Sequence, residues 1–287
     1  MNENLPVTAG VDGSEESYAA VRWAAREALV TNRRLVLLSV AGGYLSTWMP
    51  ASYFEDIERD SWAALERAER VARDEIGEST SLDIGKQLTK GPLVRELVHA
   101  SERAHKLVVG ARGGNESGLP RVIGSTAAGL AAHAACPLAI IPLHAEYATA
   151  NRIAVGIDGK RRSDNAIGVA FEEASARGAE LVAVYTWEEA GFSSALAGHD
   201  FPWDEARIAE EIILAEALAG WSEKFPDVDV SRTVVSDNAA RTLAKLSATV
   251  DLVIVGSSGR GGFMGLILGS TSIALLDTAQ SPLLIVH

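Results

Sequence analysis

Gly256 to Thr271 reads GSSGRGGFMGLILGST: a glycine, two residues, a glycine, nine residues, then a third glycine followed by Ser-Thr. A related stretch, Gly110 to Thr126 (GARGGNESGLPRVIGST), lies 146 positions upstream. Each follows a short apolar run, Leu107-Val108-Val109 in the first case and Leu252-Val253-Ile254-Val255 in the second. A buried strand that delivers its carboxyl end to a glycine loop has this appearance. Glycine lets the backbone approach a ligand and adopt positive φ, and a Ser-Thr pair at a helix start presents N–H and hydroxyl groups to an anion. The reading is a phosphate cradle, present twice.

The spacing repeats elsewhere. Val11-Asp12-Gly13 matches Ile157-Asp158-Gly159, Leu35-Val36 matches Leu181-Val182, and Arg95-Glu96-Leu97 matches Arg241-Thr242-Leu243, each offset by 146. Pro137 and Pro282 differ by 145, so the first copy holds one extra residue, between Gly113 and Gly124. A period this long exceeds the roughly 20 to 50 residues of a solenoid unit and fits a duplicated domain. The expected boundaries are residues 1–146 and 147–287.

Within each copy the order is strand, helix, strand, helix, strand, helix, strand, glycine loop, helix, strand. In the first copy this predicts strands at Val7 to Val11, Leu35 to Val40, Ile84 to Thr89, Leu107 to Val109 and Ala139 to Ile141. Helices are expected from Ser14 to Leu29, Phe54 to Ile76 and Leu93 to about Ala104. Continuous apolar strands separated by helices imply a parallel sheet covered on both faces. The fold class is α/β, two tandem doubly wound domains, each with a five-stranded parallel sheet flanked by helices. Ligands of such sheets bind beyond the carboxyl ends of the strands where strand order reverses. Asp12 and Asp158 end their first strands and Gly110 and Gly256 their fourth, so each pair is expected to share one crevice.

Composition bounds the function. Of 287 residues 47% are hydrophobic, enough for two cores, and the formal net charge is −12. That balance argues against nucleic acid as a partner, because phosphate-backbone binding needs a concentrated basic face. A mononucleotide remains compatible, held by backbone N–H groups with a divalent cation offsetting phosphate charge. The chain opens Met-Asn-Glu-Asn without a basic-then-apolar leader, and no apolar run approaches the ~18 residues that span a bilayer, so a cytoplasmic protein with no membrane partner is expected. The single cysteine, Cys136, excludes an intramolecular disulfide and reads as core. The six histidines show no metal spacing, and Trp62, Trp203 and Trp221 read as helix packing.

With Asp at the end of strand one, the double-glycine spacing and the Gly-Ser-Thr ending, the chain resembles the universal stress protein family, specifically its tandem-domain members. The resemblance covers Leu5 to His144 and Arg152 to His287. It implies an ATP-binding protein, the ATP accompanied by Mg²⁺, with a role in stress response or growth control. Carried over residue by residue, Asp158 meets the adenine or ribose, Thr186 lies beside the adenine, and Gly256, Gly259 and Arg260 flank the ribose and phosphates. Gly269, Ser270 and Thr271 hold phosphate oxygens. The matching first-copy set is Asp12, Val40, Gly110, Gly113, Gly124, Ser125 and Thr126. There Glu116 and Pro120 replace small or apolar residues, which adds a repelling carboxylate and removes one N–H donor. Lys160, where the first copy has Ser14, reads as solvated. The resemblance also implies association through the last strands, Ala139 to Ile141 and Leu283 to Val286, an internal pseudo-dimer of copies and a homodimer of chains, read by an unknown protein partner.

Two other classes stay open: an interaction module without nucleotide, and a slow ATP-hydrolysing enzyme. The sequence lacks Gly-x-x-x-x-Gly-Lys-Ser/Thr, His-x-Gly-His and Ser-Gly-Gly-x-Asp-Ser, and offers no obvious general base beside the glycine loop.

Overall fold

The computed structural model describes residues 5–42, 51–77, 80–113, 124–145, 150–158, 163–186, 203–235, 237–257 and 268–287. The chain divides into two compact units, Met1–Ala145 and Glu146–His287.

The first unit runs β1 (Val7–Gly10), α1 (Glu15–Val30), β2 (Leu35–Ala41), α2 (Ala51–Ile76), β3 (Ile84–Lys90), α3 (Leu93–Ser101), β4 (Lys106–Gly110), α4 (Ser125–His133) and β5 (Leu138–Ile141). Its strands are parallel in the order β3-β2-β1-β4-β5. Register places Val7 opposite both Leu35 and Lys106, and Leu107 opposite Leu138. The order runs one way from β1 to β3 and the other way from β4 to β5. Right-handed crossovers therefore put α1 and α2 on one face and α3 and α4 on the other. Central β1 and β4 are covered twice, and Val7, Ala9, Leu107 and Val108 are fully buried.

The second unit repeats this as β6 (Arg152–Ile157), α5 (Asp164–Arg177), β7 (Glu180–Thr186), α6 (Trp203–Lys224), β8 (Val230–Val235), α7 (Ala239–Leu246), β9 (Leu252–Gly256), α8 (Ser270–Thr278) and β10 (Leu283–Val286). Its strand order is β8-β7-β6-β9-β10. Phe171 of α5 stacks with Trp221 and Phe225, centroids 6.4 and 5.8 Å away. Gly168 makes room for them, since a Cβ there would lie 2.5 Å from the Trp221 ring.

Local chemistry explains the element ends. Ser14 caps α1, its hydroxyl accepting from the Ser17 N–H at 3.1 Å while the Ser17 hydroxyl donates to the Ser14 carbonyl at 2.8 Å. After the helix, Asn32 (φ 51°) and its counterpart Gly178 (φ 61°) turn left-handed, a common helix stop. Two expectations need correction. The third helix of the first unit stops at Ser101 rather than Ala104, because the Ser101 hydroxyl bonds back to the Val98 carbonyl (2.6 Å) and accepts from the Ala135 N–H (2.9 Å). Trp62, expected to pack, keeps 40% of its surface exposed on α2.

Candidate functional site

In the first unit β1, β2 and β4 end together, at the point where strand order reverses. β1 runs into the turn Val11-Asp12-Gly13. Gly13 has φ +86°, so the Asp-Gly turn takes the left-handed conformation that glycine permits. The Asp12 carboxylate accepts from the Ser14 N–H at 2.9 Å and the Ser14 hydroxyl at 2.5 Å, which fixes its orientation at the mouth of α1.

The glycine loop comes against this turn. A Cβ on Gly113 would sit 3.1 Å from the Asp12 Oδ2, so loop and carboxylate are direct neighbours. Gly110 also has a packing role. A Cβ there would lie 2.8 Å from the Glu16 carbonyl carbon, and its absence lets the first turn of α1 pack on the end of β4. Neither Gly110 nor Gly113 has positive φ.

At its far end the loop is closed by a backbone hydrogen bond from Gly124 N–H to the Ala111 carbonyl, 3.2 Å. Gly124 is also the N-cap of α4, with no side chain capping the helix. The first turn of α4 thus presents its backbone N–H groups and the positive end of its dipole to the crevice.

The crevice is a narrow open cleft with a cavity volume of about 60 Å³, smaller than the ~300–1,000 Å³ of most small-molecule sites. One wall is apolar: Val11, Leu38, Val40, Leu93, Leu97 and Val109. The other end is polar: Asp12, Ser17, Arg112, Gly113, Gly124 and Thr126. Of the predicted first-copy residues, Asp12, Val40, Gly110, Gly113, Gly124 and Thr126 meet here. Ser125 is not part of the lining and is exposed on α4. Sequence reasoning missed Arg112, a cation one residue before Gly113, and the Leu93/Leu97 pair, whose i,i+4 spacing on a helix after strand three was the available signal. Nearby on α1, burial raises the Tyr18 phenol above its ordinary pKa, and Arg67 stands over the ring at 4.5 Å.

The second unit repeats the frame. Asp158 follows β6, and its Oδ1 accepts from the Ser163 hydroxyl at 2.5 Å, while that hydroxyl accepts from the Asp158 N–H at 3.1 Å. Thr186 ends β7 and is 7% exposed. Gly256 ends β9, and its carbonyl accepts from the Ser272 hydroxyl at 2.8 Å. The Gly269 N–H closes on the Ser257 carbonyl at 2.7 Å, and Gly269 caps α8 without a side chain, as Gly124 does for α4. Ser270 and Thr271 form the first turn of α8, Ser270 exposed. Gly259 and Arg260 lie outside the described residues, as do Glu116, Pro120 and Lys160.

The sequence profile of the universal stress protein family matches residues 4–142 and again 149–287. A universal stress protein of Mycobacterium tuberculosis is 38% identical over 293 residues, covering 97% of this chain and 96% of its own length. One from Mycolicibacterium smegmatis is 37% identical over 293 residues, covering 98% and 96%. Among solved structures, a universal stress protein from Archaeoglobus fulgidus superposes with a TM-score of 0.72 at 20% identity, covering 100% of this chain and 99% of that one. That structural likeness concerns the fold.

Proposed function

The chain belongs to the universal stress protein family, and from that premise we propose that it is an ATP-binding regulator of stress response or growth, acting in the cytoplasm, with a nucleotide seat in each unit. The observation that carries this reading is the meeting of six predicted residues, 12 to 126 in sequence, in one crevice at the strand-order reversal of the first unit. The apolar wall of Leu38, Val40 and Val109 suits a purine. Asp12 suits a ribose hydroxyl or an adenine amine. The α4 start, with Thr126 and Arg112, suits phosphates. In the second unit Asp158, Thr186, Gly256, Gly259, Arg260, Gly269, Ser270 and Thr271 take the corresponding roles.

Among the described residues no group of three His, Cys, Asp or Glu side chains is placed to hold a metal ion. A Mg²⁺ would arrive with the triphosphate and be held chiefly by its phosphate oxygens. No described helix is long and apolar enough to cross a membrane, which is compatible with cytoplasmic action.

The test is to denature freshly purified protein, identify the released nucleotide by mass and count it per chain. Two ATP per chain are expected, one lost in Gly124→Glu and the other in Gly269→Glu, because each substitution sets a carboxylate at a phosphate-facing helix start. A protein that holds no nucleotide even after ATP and Mg²⁺ are supplied sinks the reading in favour of an interaction module.

A further inference from the structure

Beside the crevice, on the same face of the first unit's sheet, lies a second and roomier hollow. Its volume is about 310 Å³, inside the ~300–1,000 Å³ of small-molecule sites, against about 60 Å³ for the crevice. Side chains alternate between the faces of a strand. Gly10 and Val40 therefore serve the crevice while Thr8 and Val36, further back on the same strands and facing the same way, serve the hollow, and Leu38 lines both. Helix α3 packs over β1, β2 and β4. It stands to one side of the edge strand β3, whose Gln87 and Thr89 border the space.

Charge is separated along this hollow. Glu96, in the first turn of α3, lines the end nearer the crevice. The Thr89 hydroxyl donates to its carboxylate at 3.4 Å, and among the described residues no cation pairs with it. Arg103, seven residues later and just past the end of the helix, lines the other end, and among the described residues its guanidinium has neither hydrogen bond nor ion pair. Seven residues of helix rise about 10 Å, so the two opposite charges are held apart. Between them the floor is Val36 and Leu38, with Thr8 4% exposed. His99 and Glu102 face each other at 3.7 Å and are each more than half exposed, so solvent screens them.

The second unit does not repeat this set. At the positions 146 further on, Thr242 replaces Glu96, Thr249 replaces Arg103, and Leu246 stands where the wall of the hollow has the small Ala100. We propose that the hollow binds an elongated zwitterion, a small molecule with an ammonium group at one end, a carboxylate at the other and an apolar chain between. The ammonium sits on Glu96 beside Thr89, the carboxylate takes the Arg103 guanidinium, and the chain lies over Val36 and Leu38. An α-amino acid, with both charges on one carbon, reaches only one end. The site stands whether or not the neighbouring crevice holds a nucleotide, since the charged groups belong to the hollow alone.

Titrating the isotope-labelled full chain with 6-aminohexanoate, read through the backbone amide signals of Thr8, Gln87 and Thr89, tests this. Saturable shifts at those amides are expected, with a Kd of about 0.1 to 10 mM for a ligand of so few atoms. Hexanoate and hexylamine, each lacking one charge, should bind about tenfold more weakly, the worth of one charge-assisted contact. In Glu96→Gln the advantage of 6-aminohexanoate over hexanoate should vanish, and in Arg103→Gln its advantage over hexylamine. Ala100→Leu, which copies the second unit, should remove binding of all three. The proposal is overturned if no saturable shift appears up to about 10 mM, or if hexane-1,6-diamine binds more tightly than 6-aminohexanoate. It is overturned equally if the two charge variants leave those advantages in place, or if Ala100→Leu binds as the parent chain does.

Discussion

At the scale of single residues the two copies solve one problem in different ways. Each first helix buries a glutamate, Glu27 at 1% exposed and Glu173 at 4%. In the first unit the cation comes from a strand, Lys106 at the start of β4, which bonds Glu27 with both side chains buried and lies 5.6 Å from the Trp23 ring. In the second unit position 252 is leucine, and the cation comes from the helix itself, Arg177 one turn after Glu173. Removing one member of a buried pair costs about 3–5 kcal/mol, because the remaining charge loses its compensation. Lys106→Leu should therefore destabilise the first unit by that amount in denaturant unfolding. Adding Thr31→Arg, which copies the second unit's arrangement four residues after Glu27, should recover much of the loss. No recovery would mean that the two sites are not equivalent solutions.

At the scale of elements, the helix starts differ in how they are held. Asn238 caps α7 by accepting from the Arg241 N–H at 3.1 Å, whereas Pro92 begins α3 with no side-chain cap. Asn238→Ala should cost about 1 kcal/mol in the same unfolding experiment, and a cost near zero would show that the bond is not maintained in solution. The strands and both glycine loops were legible in sequence because parallel strands are continuous apolar runs and glycine punctuates them. The edges of elements were less so. Lys106 belongs to β4 but looks like a loop residue, since its counter-charge lies 79 positions away in Glu27. Of the crevice, Asp12 and the loop glycines could be read from spacing, and Val40 only from the family resemblance. Leu93 and Leu97 left only their i,i+4 spacing as a signal, and Arg112 left none, because they join the site through the folding of α3 and the loop onto it. Gly110, expected beside the ligand, also has a packing role that spacing does not show: its missing side chain makes room for Glu16 of α1.

At the scale of the whole molecule, duplication has kept the frame and let its electrostatics diverge. His105, just before β4, is more than half buried. Desolvation, then the charges of Lys106 and Arg33, lower its pKa to about 4, with Glu27 acting the other way. Its counterpart in the second unit is Asp251, which instead accepts from the Ala150 and Arg152 N–H groups at 3.2 and 3.1 Å. A histidine whose folded pKa is depressed prefers to stay neutral in the native state, so the unfolded chain binds the proton first. Stability is then lost as pH falls from about 6.5, the unfolded value, towards the folded value of about 4. Melting temperatures across this window should fall less steeply for His105→Asn than for the parent chain. Parallel curves would remove His105 from the acid response.

The bond that joins Ala111 to Gly124, and its twin joining Ser257 to Gly269, bears on how such a protein can change over generations. Twelve residues separate the first pair and eleven the second. By loop-closure entropy alone, one more residue between tethered ends costs only about 0.1 kcal/mol. With its ends clasped at the base, each segment is an insert between fixed posts. Mutation can vary its length and composition there with little penalty to the sheet beneath, and a laboratory graft between the same posts should inherit that tolerance.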